Sequence, residues 1–238
     1  MLARETEGER QVPDVIWNLP HFQSWLQAQK NAGNRLDGFK PVFAFPDARP
    51  FFWGGHVNVF IGDEGRNKIN EVVLSRPDIM HIVLIHKPLR LSDKLQAVMV
   101  REFRSPASTP SGFILETPGG SSVKGDDPLG VAVDELYEET GVRISPERLV
   151  SLGSRQLMGT MSAHKAHVYG ALIGPDDMDV VRAQIGRVHG NAEDSERTYV
   201  EVHDLDELLN EESTDWSTLG MLFAAVSALG VETASAAQ

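Results

Sequence analysis

Three glutamates, Glu135, Glu138 and Glu139, are spaced so that they share one face of a helix. At about 100° per residue, positions i, i+3 and i+4 fall together, so the three carboxylates repel one another. They also stand near the predicted C-terminal end of that helix, where negative charge opposes the helix dipole. A hard divalent cation, which prefers several oxygen ligands, would reverse this cost. The alternative that the residues alone leave open is a solvated acidic surface.

The helix that would carry these glutamates is predicted over residues 128–140 by the signals at its two ends. Asp126 or Asp127 can cap its N-terminus. Pro128 stands where a missing N–H does no harm, and Gly141 can close the C-terminus. Apolar residues recur at i, i+3, i+4 and i+7, which predicts a buried face separate from the acidic one. These apolar residues are Leu129, Ala132, Val133 and Leu136.

From Gly120 to Val142 the chain resembles the Nudix box, which reads G-x5-E-x7-R-E-U-x-E-E-x-G-U with U aliphatic. Two positions depart from that pattern: Asp126 stands for the first Glu, and Asp134 stands for the Arg. In the box, the Arg orients and partly neutralises the neighbouring glutamates. A like charge at Asp134 therefore favours one alternative, a Nudix-fold nucleotide-binding module with weak catalysis. The matching residues are Gly120, Glu135, Leu136, Glu138, Glu139, Gly141 and Val142.

Three further stretches are similar to the branch of that family that hydrolyses ADP-ribose and nucleoside-diphosphate sugars. Residues 63–77 resemble its entry hairpin, and Val98-Met-Val-Arg-Glu-Phe-Arg104 resembles one of its strands. Leu115-Glu-Thr-Pro-Gly-Gly120 resembles the segment ahead of the box. The resemblance covers about residue 57 to the last predicted helix and leaves out the first fifty-odd residues. It implies a Nudix α/β/α sandwich, with a mixed sheet between helices.

The resemblance also implies which residues form the active site. An enzyme of this branch would bind Mg²⁺ or Mn²⁺ through the carbonyl oxygen of one glycine and through several glutamate carboxylates. The implied metal ligands are Gly119, Glu135, Glu138, Glu139 and Glu196. The implied catalytic residues are Glu138, Glu139 and Glu196.

Two groups would bind the substrate, and a loop would supply one carboxylate. Arg104 would contact the diphosphate or the terminal ribose, because a planar guanidinium can bind phosphate through two hydrogen bonds. Glu116 would lie beside Arg104 in the substrate cleft. An acidic residue on the loop before the last predicted strand would help to hold a metal and the attacking water. The offset from that strand favours Glu196 among the three candidates, which are Glu193, Asp194 and Glu196.

The activity implied by the resemblance is metal-dependent hydrolysis of a nucleoside diphosphate linked to another moiety. ADP-ribose, cleaved to AMP and ribose 5-phosphate, is the first expectation. Another sugar nucleotide, such as UDP-glucose or GDP-mannose, is the alternative, since base and sugar selectivity lie in loops that hold no transferable code. The branch also implies a homodimer that forms through the N-terminal strands.

The composition excludes several other classes of protein. There are 22 Lys and Arg against 34 Asp and Glu, a net charge of -12, which argues against a non-specific nucleic-acid binder. The absence of cysteine excludes a disulfide scaffold, a thiolate zinc site and a cysteine nucleophile. The start of the chain is polar and acidic, and the most apolar stretch is too short to span a membrane. We therefore expect a soluble cytoplasmic protein.

Strand and helix signals together predict the α/β class. Residues 1–78 are expected to form an N-terminal β-rich extension used for dimerisation, and residues 79–238 the Nudix domain. Residues 1–17 are expected to be loosely ordered, a short helix to begin at Pro20, and a loop to follow from Asn31 to about Pro50. Strands are predicted at 57–61, 71–74, 81–85, 96–104, 112–115, 149–156, 166–173 and 199–203.

The last helix is predicted over Trp216–Leu229, so that the whole chain has only two or three helices. Its apolar residues are expected to form one buried stripe. That stripe consists of Trp216, Leu219, Leu222, Phe223, Val226 and Leu229.

Overall fold

The computed structural model describes residues 3–46, 50–87, 94–121, 127–191 and 195–231. Contacts between residues divide the chain into an N-terminal unit, residues 1–79 with 155–166, and a C-terminal unit, residues 80–154 with 167–238. Asp126, Glu193 and Asp194, which the sequence singles out, lie outside the described residues. The described part of the chain contains no helix that is both long enough and apolar enough to cross a bilayer.

Helices α1 (Glu7–Arg10), α2 (Asp14–Trp17) and α3 (Pro20–Asn31) open the N-terminal unit. The prediction that residues 1–17 are loosely ordered is therefore wrong. Thr6 and Glu9 form a reciprocal capping box at the start of α1, and Glu9 is fully buried with its carboxylate 3.0 Å from Lys30 Nζ. Helix α3 begins at Pro20, as the sequence predicted.

A three-stranded antiparallel sheet follows, in the order β1 (Arg35–Phe45), β2 (Phe52–Ile61), β3 (Arg66–Ser75). The predicted loop from Asn31 to Pro50 is wrong, because β1 occupies most of it. Gly38 and Pro41 argued against a strand here, because both residues are uncommon in strand interiors. The structure accommodates them beside two register shifts between β1 and β2.

Aromatic side chains form the core of the N-terminal unit. The Phe22 ring centroid lies 5.1 Å from the ring of Trp53 and 5.6–5.9 Å from those of Trp17, Trp25 and Phe39. Edge-to-face and tilted contacts at such distances are favourable for aromatic pairs. The three helices therefore pack on one face of the sheet through Phe22 and its neighbours.

The C-terminal unit is built on a seven-stranded mixed sheet. Its strands in chain order are β4 (Ile79–His86), β5 (Gln96–Phe103), β6 (Phe113–Glu116), β7 (Gly119–Gly120), β8 (Val150–Gln156), β9 (Lys165–Ile173) and β10 (Thr198–Asp204). The spatial order is β10-β5-β4-β9-β8, with β6 paired to β5 and β7 paired to β4.

Four helices accompany this sheet: α4 (Pro128–Thr140), α5 (Pro175–Arg182), α6 (Leu205–Leu208) and α7 (Trp216–Ala228). The described residues thus include seven α-helices, and the expectation of two or three is wrong. The α/β class itself is confirmed. Ala132 and Leu136 of α4 pack with Met178 of α5 against alternate residues of β4 and β5. Val83, Ile85, Ala97 and Met99, on the other face, are buried too, so this part of β4 and β5 is covered on both faces.

The predicted stripe on the last helix is wrong for Trp216 and Phe223, whereas Leu222 is buried as predicted. Trp216 is 88% exposed and Phe223 is 76% exposed. The sequence of α7 is apolar or small on all sides, so periodicity could not identify the face that is buried. That face consists of Thr218, Met221, Leu222 and Ala225.

Candidate metal-binding site

Three glutamates of the C-terminal unit bring their carboxylates together. One oxygen each of Glu102, Glu139 and Glu196 lies within 4.8 Å of the other two, and this spacing allows them to share one metal ion. Glu102 comes from β5, Glu139 from α4 and Glu196 from the segment just before β10. The sequence predicted Glu139 and Glu196 as ligands, but it did not identify Glu102.

Both ends of α4 are fixed, which positions Glu139. The Asp127 side chain accepts hydrogen bonds from the backbone N–H groups of Leu129 and Gly130, so the predicted cap at this residue is confirmed. At the other end Gly141 adopts a left-handed φ of 69° and ends the helix. Thr198 Oγ1 donates to the Glu139 carbonyl oxygen at 2.8 Å, which fixes the last turn to the start of β10.

Gly119 and Gly120 stand where a side chain would collide with neighbouring atoms. A Cβ on Gly119 would lie 2.2 Å from the Met80 carbonyl oxygen, and one on Gly120 would lie 2.4 Å from the Glu135 carboxylate. This closeness lets the Gly119 N–H donate to Glu139 Oε2 at 2.7 Å. The structure therefore shows the Gly119 N–H at the site, whereas metal ligation by its carbonyl oxygen stays a prediction.

Buried His81 supports this segment from strand β4. Its Nδ1 lies 3.2 Å from the Thr117 carbonyl oxygen and 3.0 Å from Thr117 Oγ1. Burial lowers the pKa of His81, so the ring is neutral near neutral pH. The imidazole thus holds the chain just before Gly119 and adds no charge to the site.

Two hydrogen bonds to Asn191 hold Glu196 in place. Its backbone N–H donates to the Asn191 carbonyl oxygen at 3.0 Å, and its Oε2 accepts from the Asn191 N–H at 3.3 Å. Ser195, the residue before it, has a φ of 63°, the left-handed conformation that costs free energy in residues other than glycine. Gly190, next to Asn191, is fixed to α4, because its N–H donates to the Glu138 carbonyl oxygen.

Arg104 lies at the end of β5 between two carboxylates. Its Nε and Nη2 donate to Glu116 Oε1 at 2.9 and 2.5 Å, and its Nη2 is 2.8 Å from Glu102 Oε2. Glu116 is thus beside Arg104, where the resemblance placed it. Contact of Arg104 with a diphosphate stays a prediction.

The other two glutamates of the acidic helix face are placed differently. Glu139 is buried, Glu135 is half-buried, and Glu138 and Asp134 are exposed. Neither Glu135 nor Glu138 belongs to the three-carboxylate group found among the described residues. Their roles as ligands or catalysts stay predictions.

Burial and mutual repulsion raise the pKa values of these glutamates. Burial raises the pKa of Glu102 to about 7, with smaller contributions from Glu116 and Glu196, although Arg104 acts in the opposite direction. Burial, then Glu138, Glu196 and Asp134, raise the pKa of Glu135 to about 7. Burial also raises the pKa of Glu116 and, more strongly, that of Glu139. The site therefore favours protons or metal ions over bare carboxylates.

One sequence signal could have revealed Glu102. Along β5, residues Val98, Val100, Glu102 and Arg104 point to the same face by alternation, and the first two are core residues. Two charged residues that continue a buried face indicate a functional site, because a charge in such a position needs a partner.

Comparison with known proteins does not extend this description. No protein-family model matches the chain, and no curated protein gives a match. The fold and the site therefore define an α/β protein with three clustered carboxylates, two buried and one half-buried, that could hold a metal ion. The Nudix resemblance depends on the spacing of Gly120, Glu135, Glu138, Glu139 and Gly141.

Proposed function

We propose that this protein is a Nudix-type, metal-dependent hydrolase of a nucleoside diphosphate linked to a second moiety, with ADP-ribose as the first candidate. The observation that carries the proposal is the convergence of Glu139 and Glu196 with a third carboxylate within 4.8 Å, beside Arg104. Such a group of oxygens suits Mg²⁺ or Mn²⁺, and a guanidinium beside it suits the phosphates of the substrate.

In this proposal each residue has a distinct role. A bound divalent cation would neutralise charge on the diphosphate and lower the pKa of a bound water. Glu139 and Glu196 would hold that ion, and Glu139 is kept in place by the Gly119 N–H. Arg104 would bind the diphosphate while Glu116 orients its guanidinium. Glu196 or Glu138 would accept the proton of the attacking water, and cleavage of ADP-ribose would yield AMP and ribose 5-phosphate.

The test is a panel of ADP-ribose, UDP-glucose and GDP-mannose with Mg²⁺ or Mn²⁺, with wild type, Glu139→Gln and Glu201→Gln compared. Glu201 is the matched control, because it is a β10 glutamate that pairs with Arg101 at 2.7 Å and lies outside the three-carboxylate group. We expect Glu139→Gln to lose at least about a hundredfold in kcat/KM and Glu201→Gln to keep its activity. Cleavage by Glu139→Gln at the wild-type rate would contradict the assignment of Glu139.

A nucleotide-binding module without turnover is the second candidate. Asp134 favours it, because this carboxylate contributes to the raised pKa of Glu135 where the Nudix box has an Arg. The two candidates differ in one measurement, since a module would bind the nucleotides with Mg²⁺ and release them unchanged. Absence of cleavage of the whole panel, with binding retained, would select the module.

We also propose a cytoplasmic homodimer that forms through the N-terminal strands. Its support is a group of exposed apolar residues on the three-stranded sheet, and sedimentation of the wild type and of Ile69→Asp tests it. We expect the wild type to sediment as a dimer and Ile69→Asp to shift toward the monomer, while a monomeric wild type would contradict the proposal. The exposed residues are Val42 (59%), Phe45 (60%), Ile69 (61%) and Val72 (42%).

A further inference from the structure

Glu102, which the Nudix resemblance does not assign, is rigidly presented to the site. Strand β5 pairs on both sides at this point, with Thr198 of β10 and Ile114 of β6 in register with Glu102. Only 6% of the residue is exposed. The backbone of Glu102 is therefore fixed along both edges of the strand, and its side chain is buried.

Glu102 Oε2 is buried and receives no hydrogen bond of good geometry. The nearest cation is Arg104, whose Nη2 lies 2.8 Å away as an ion pair. However, the Nε and Nη2 of Arg104 both donate to Glu116 Oε1. The other nearby donor, the Gly119 N–H, donates to Glu139. A buried carboxylate that shares its counter-ion with Glu116 is costly to keep charged, and a metal cation would offset that cost.

The distances suit a shared cation. The closest oxygens of Glu102, Glu139 and Glu196 all lie within 4.8 Å of one another. Three oxygens evenly spaced around an ion at about 2.0–2.6 Å lie about 3.5–4.5 Å apart, so the carboxylates need to close by only about 1 Å to share it. The three residues come from different parts of the chain: Glu102 from β5, Glu139 from α4 and Glu196 from the segment just before β10.

A purely structural role for Glu102 explains less. Arg104 is already oriented by two hydrogen bonds to Glu116, so it does not need Glu102 to hold its position. A second carboxylate there adds repulsion against Glu116 and Glu196, which lie close enough to act on it. A role as an oxygen ligand of a cation explains why Glu102 is both charged and buried.

Building on the proposed function, we propose that Glu102 is a direct carboxylate ligand of the divalent cation held by Glu139 and Glu196. The cation and Arg104 then compete for the same carboxylate. Metal binding leaves Arg104 paired with Glu116 alone and makes its positive charge more available to an anionic substrate. Glu102 thus couples metal binding to substrate binding.

The test is Mn²⁺ binding to the chelator-treated full-length chain, followed through the electron paramagnetic resonance signal of free Mn²⁺. Wild type is compared with Glu102→Gln, Glu102→Asp and Glu139→Gln, and with Glu201→Gln as the matched control. We expect Glu102→Gln to weaken Mn²⁺ binding about tenfold or more. Glu102→Asp, which keeps the charge but withdraws the oxygens by one methylene, should weaken it less, and Glu201→Gln should bind as wild type.

Thermal unfolding without metal separates loss of a ligand from loss of the fold. Glu102→Gln removes one charge from a group of carboxylates that repel one another, so without metal it should be at least as stable as wild type. Added Mn²⁺ should raise its melting temperature less than that of wild type. Equal Mn²⁺ affinity in wild type, Glu102→Gln and Glu102→Asp, with loss in Glu139→Gln, would overturn this inference and leave the proposed function intact. Absence of Mn²⁺ binding to the wild type would overturn both. If Glu102→Gln does not fold, wild-type affinity in Glu102→Asp would overturn the inference.

Discussion

Arg104 pairs with two buried carboxylates of the site at once. Its Nη2 lies 2.5 Å from Glu116 and 2.8 Å from Glu102, and both glutamates are at least four-fifths buried. Removal of one member of such a group leaves the others charged and without a counter-ion, which costs more than the pair itself contributes. The stability of the metal-free site therefore depends on this guanidinium.

We expect Arg104→Gln to lower the free energy of unfolding by about 2 kcal/mol, because it leaves two buried carboxylates without a cation. The double variant Arg104→Gln/Glu116→Gln should recover part of this loss. Urea unfolding of both variants in the presence of a chelator measures the effect. Arg182→Gln is the control, since Arg182 makes a 3.8 Å ion pair with exposed Asp179 and should change stability little. Equal losses in Arg104→Gln and Arg182→Gln would contradict the prediction.

Asp134 acts on the site only through charge, because it is exposed and stands beside Glu135 on α4. We expect Asp134→Arg to lower the pKa of Glu135, since it replaces a repulsive neighbour of that carboxyl with an attractive one. The kcat/KM for the best substrate should equal or exceed that of wild type, and its pH profile should shift to lower pH. Asp134→Asn should produce a smaller shift in the same direction. A large loss of activity in Asp134→Arg would show that Asp134 has a role of its own.

At the scale of elements, the two ends of α4 depend on different residues. Gly130, inside the helix, has room for a Cβ, whose nearest neighbour would be an Asp127 carboxylate oxygen at 3.6 Å. Gly141, just after the helix, has a left-handed φ, and its Cβ would lie 2.9 Å from His189 Cε1. The two glycines of one helix therefore respond to alanine in opposite directions.

We expect Gly130→Ala to raise the free energy of unfolding by up to about 1 kcal/mol, because alanine restricts the unfolded chain and favours the helix. Gly141→Ala should lower it by about 1–2 kcal/mol or more, because it combines left-handed strain with a close contact. Chemical denaturation of both variants against wild type measures these changes. A neutral Gly141→Ala would mean that the end of α4 can move without cost.

Elements with strong local signals were predictable from the sequence. The cap at Asp127, Pro128 and Gly141 define α4, and the structure confirms its bounds of 128–140. Most strands rich in β-branched residues were also located within a few residues. Strand β1 was missed because Gly38 and Pro41 argue against a strand, and α5 was missed because it is short. The buried side of α7 could not be predicted, since it depends on tertiary packing and not on periodicity.

The candidate site was only partly predictable for a similar reason. Glu139, Glu196, Arg104 and Glu116 were identified because the resemblance marks their positions in the chain. The resemblance assigns no role to Glu102, which comes close to Glu139 and Glu196 through the pairing of β5 with β10. Glu138 was grouped with Glu139 by helical spacing, yet the structure exposes Glu138 and buries Glu139.

For the whole molecule, burial of carboxyl groups makes stability depend on pH. The pKa of Glu102 is about 7 in the native state, against an ordinary value of 4.5. Between these two values the native state holds a proton that the unfolded chain has lost, so the free energy of unfolding falls as the pH rises. The contribution is complete below about pH 4.5, is lost above about pH 7, and amounts to at most about 3 kcal/mol.

Buried histidines act in the opposite direction. Burial lowers the pKa of His21 to about 4 and also lowers that of His81, so these groups add stability as the pH rises toward 6.5. The effect of Glu102 must therefore be isolated by comparison with Glu102→Gln. We expect the unfolding free energy of wild type minus that of Glu102→Gln, measured with a chelator, to fall between about pH 5 and pH 8. A difference that does not change with pH would contradict the raised pKa of Glu102.

The antiparallel pairing of β10 with β5 sets Thr198 opposite Glu102 across a long stretch of intervening chain. Thr198 also binds the end of α4, so one pairing event aligns the strand, the helix and the segment before β10 that carry the three carboxylates. In a partly folded chain whose β10 has not yet paired with β5, the three carboxylates are not held together and cannot share a cation. A cation that binds these three carboxylates should therefore bind the native state in preference to partly folded states. Loss of the free Mn²⁺ signal during refolding would then report the pairing of β10 with β5.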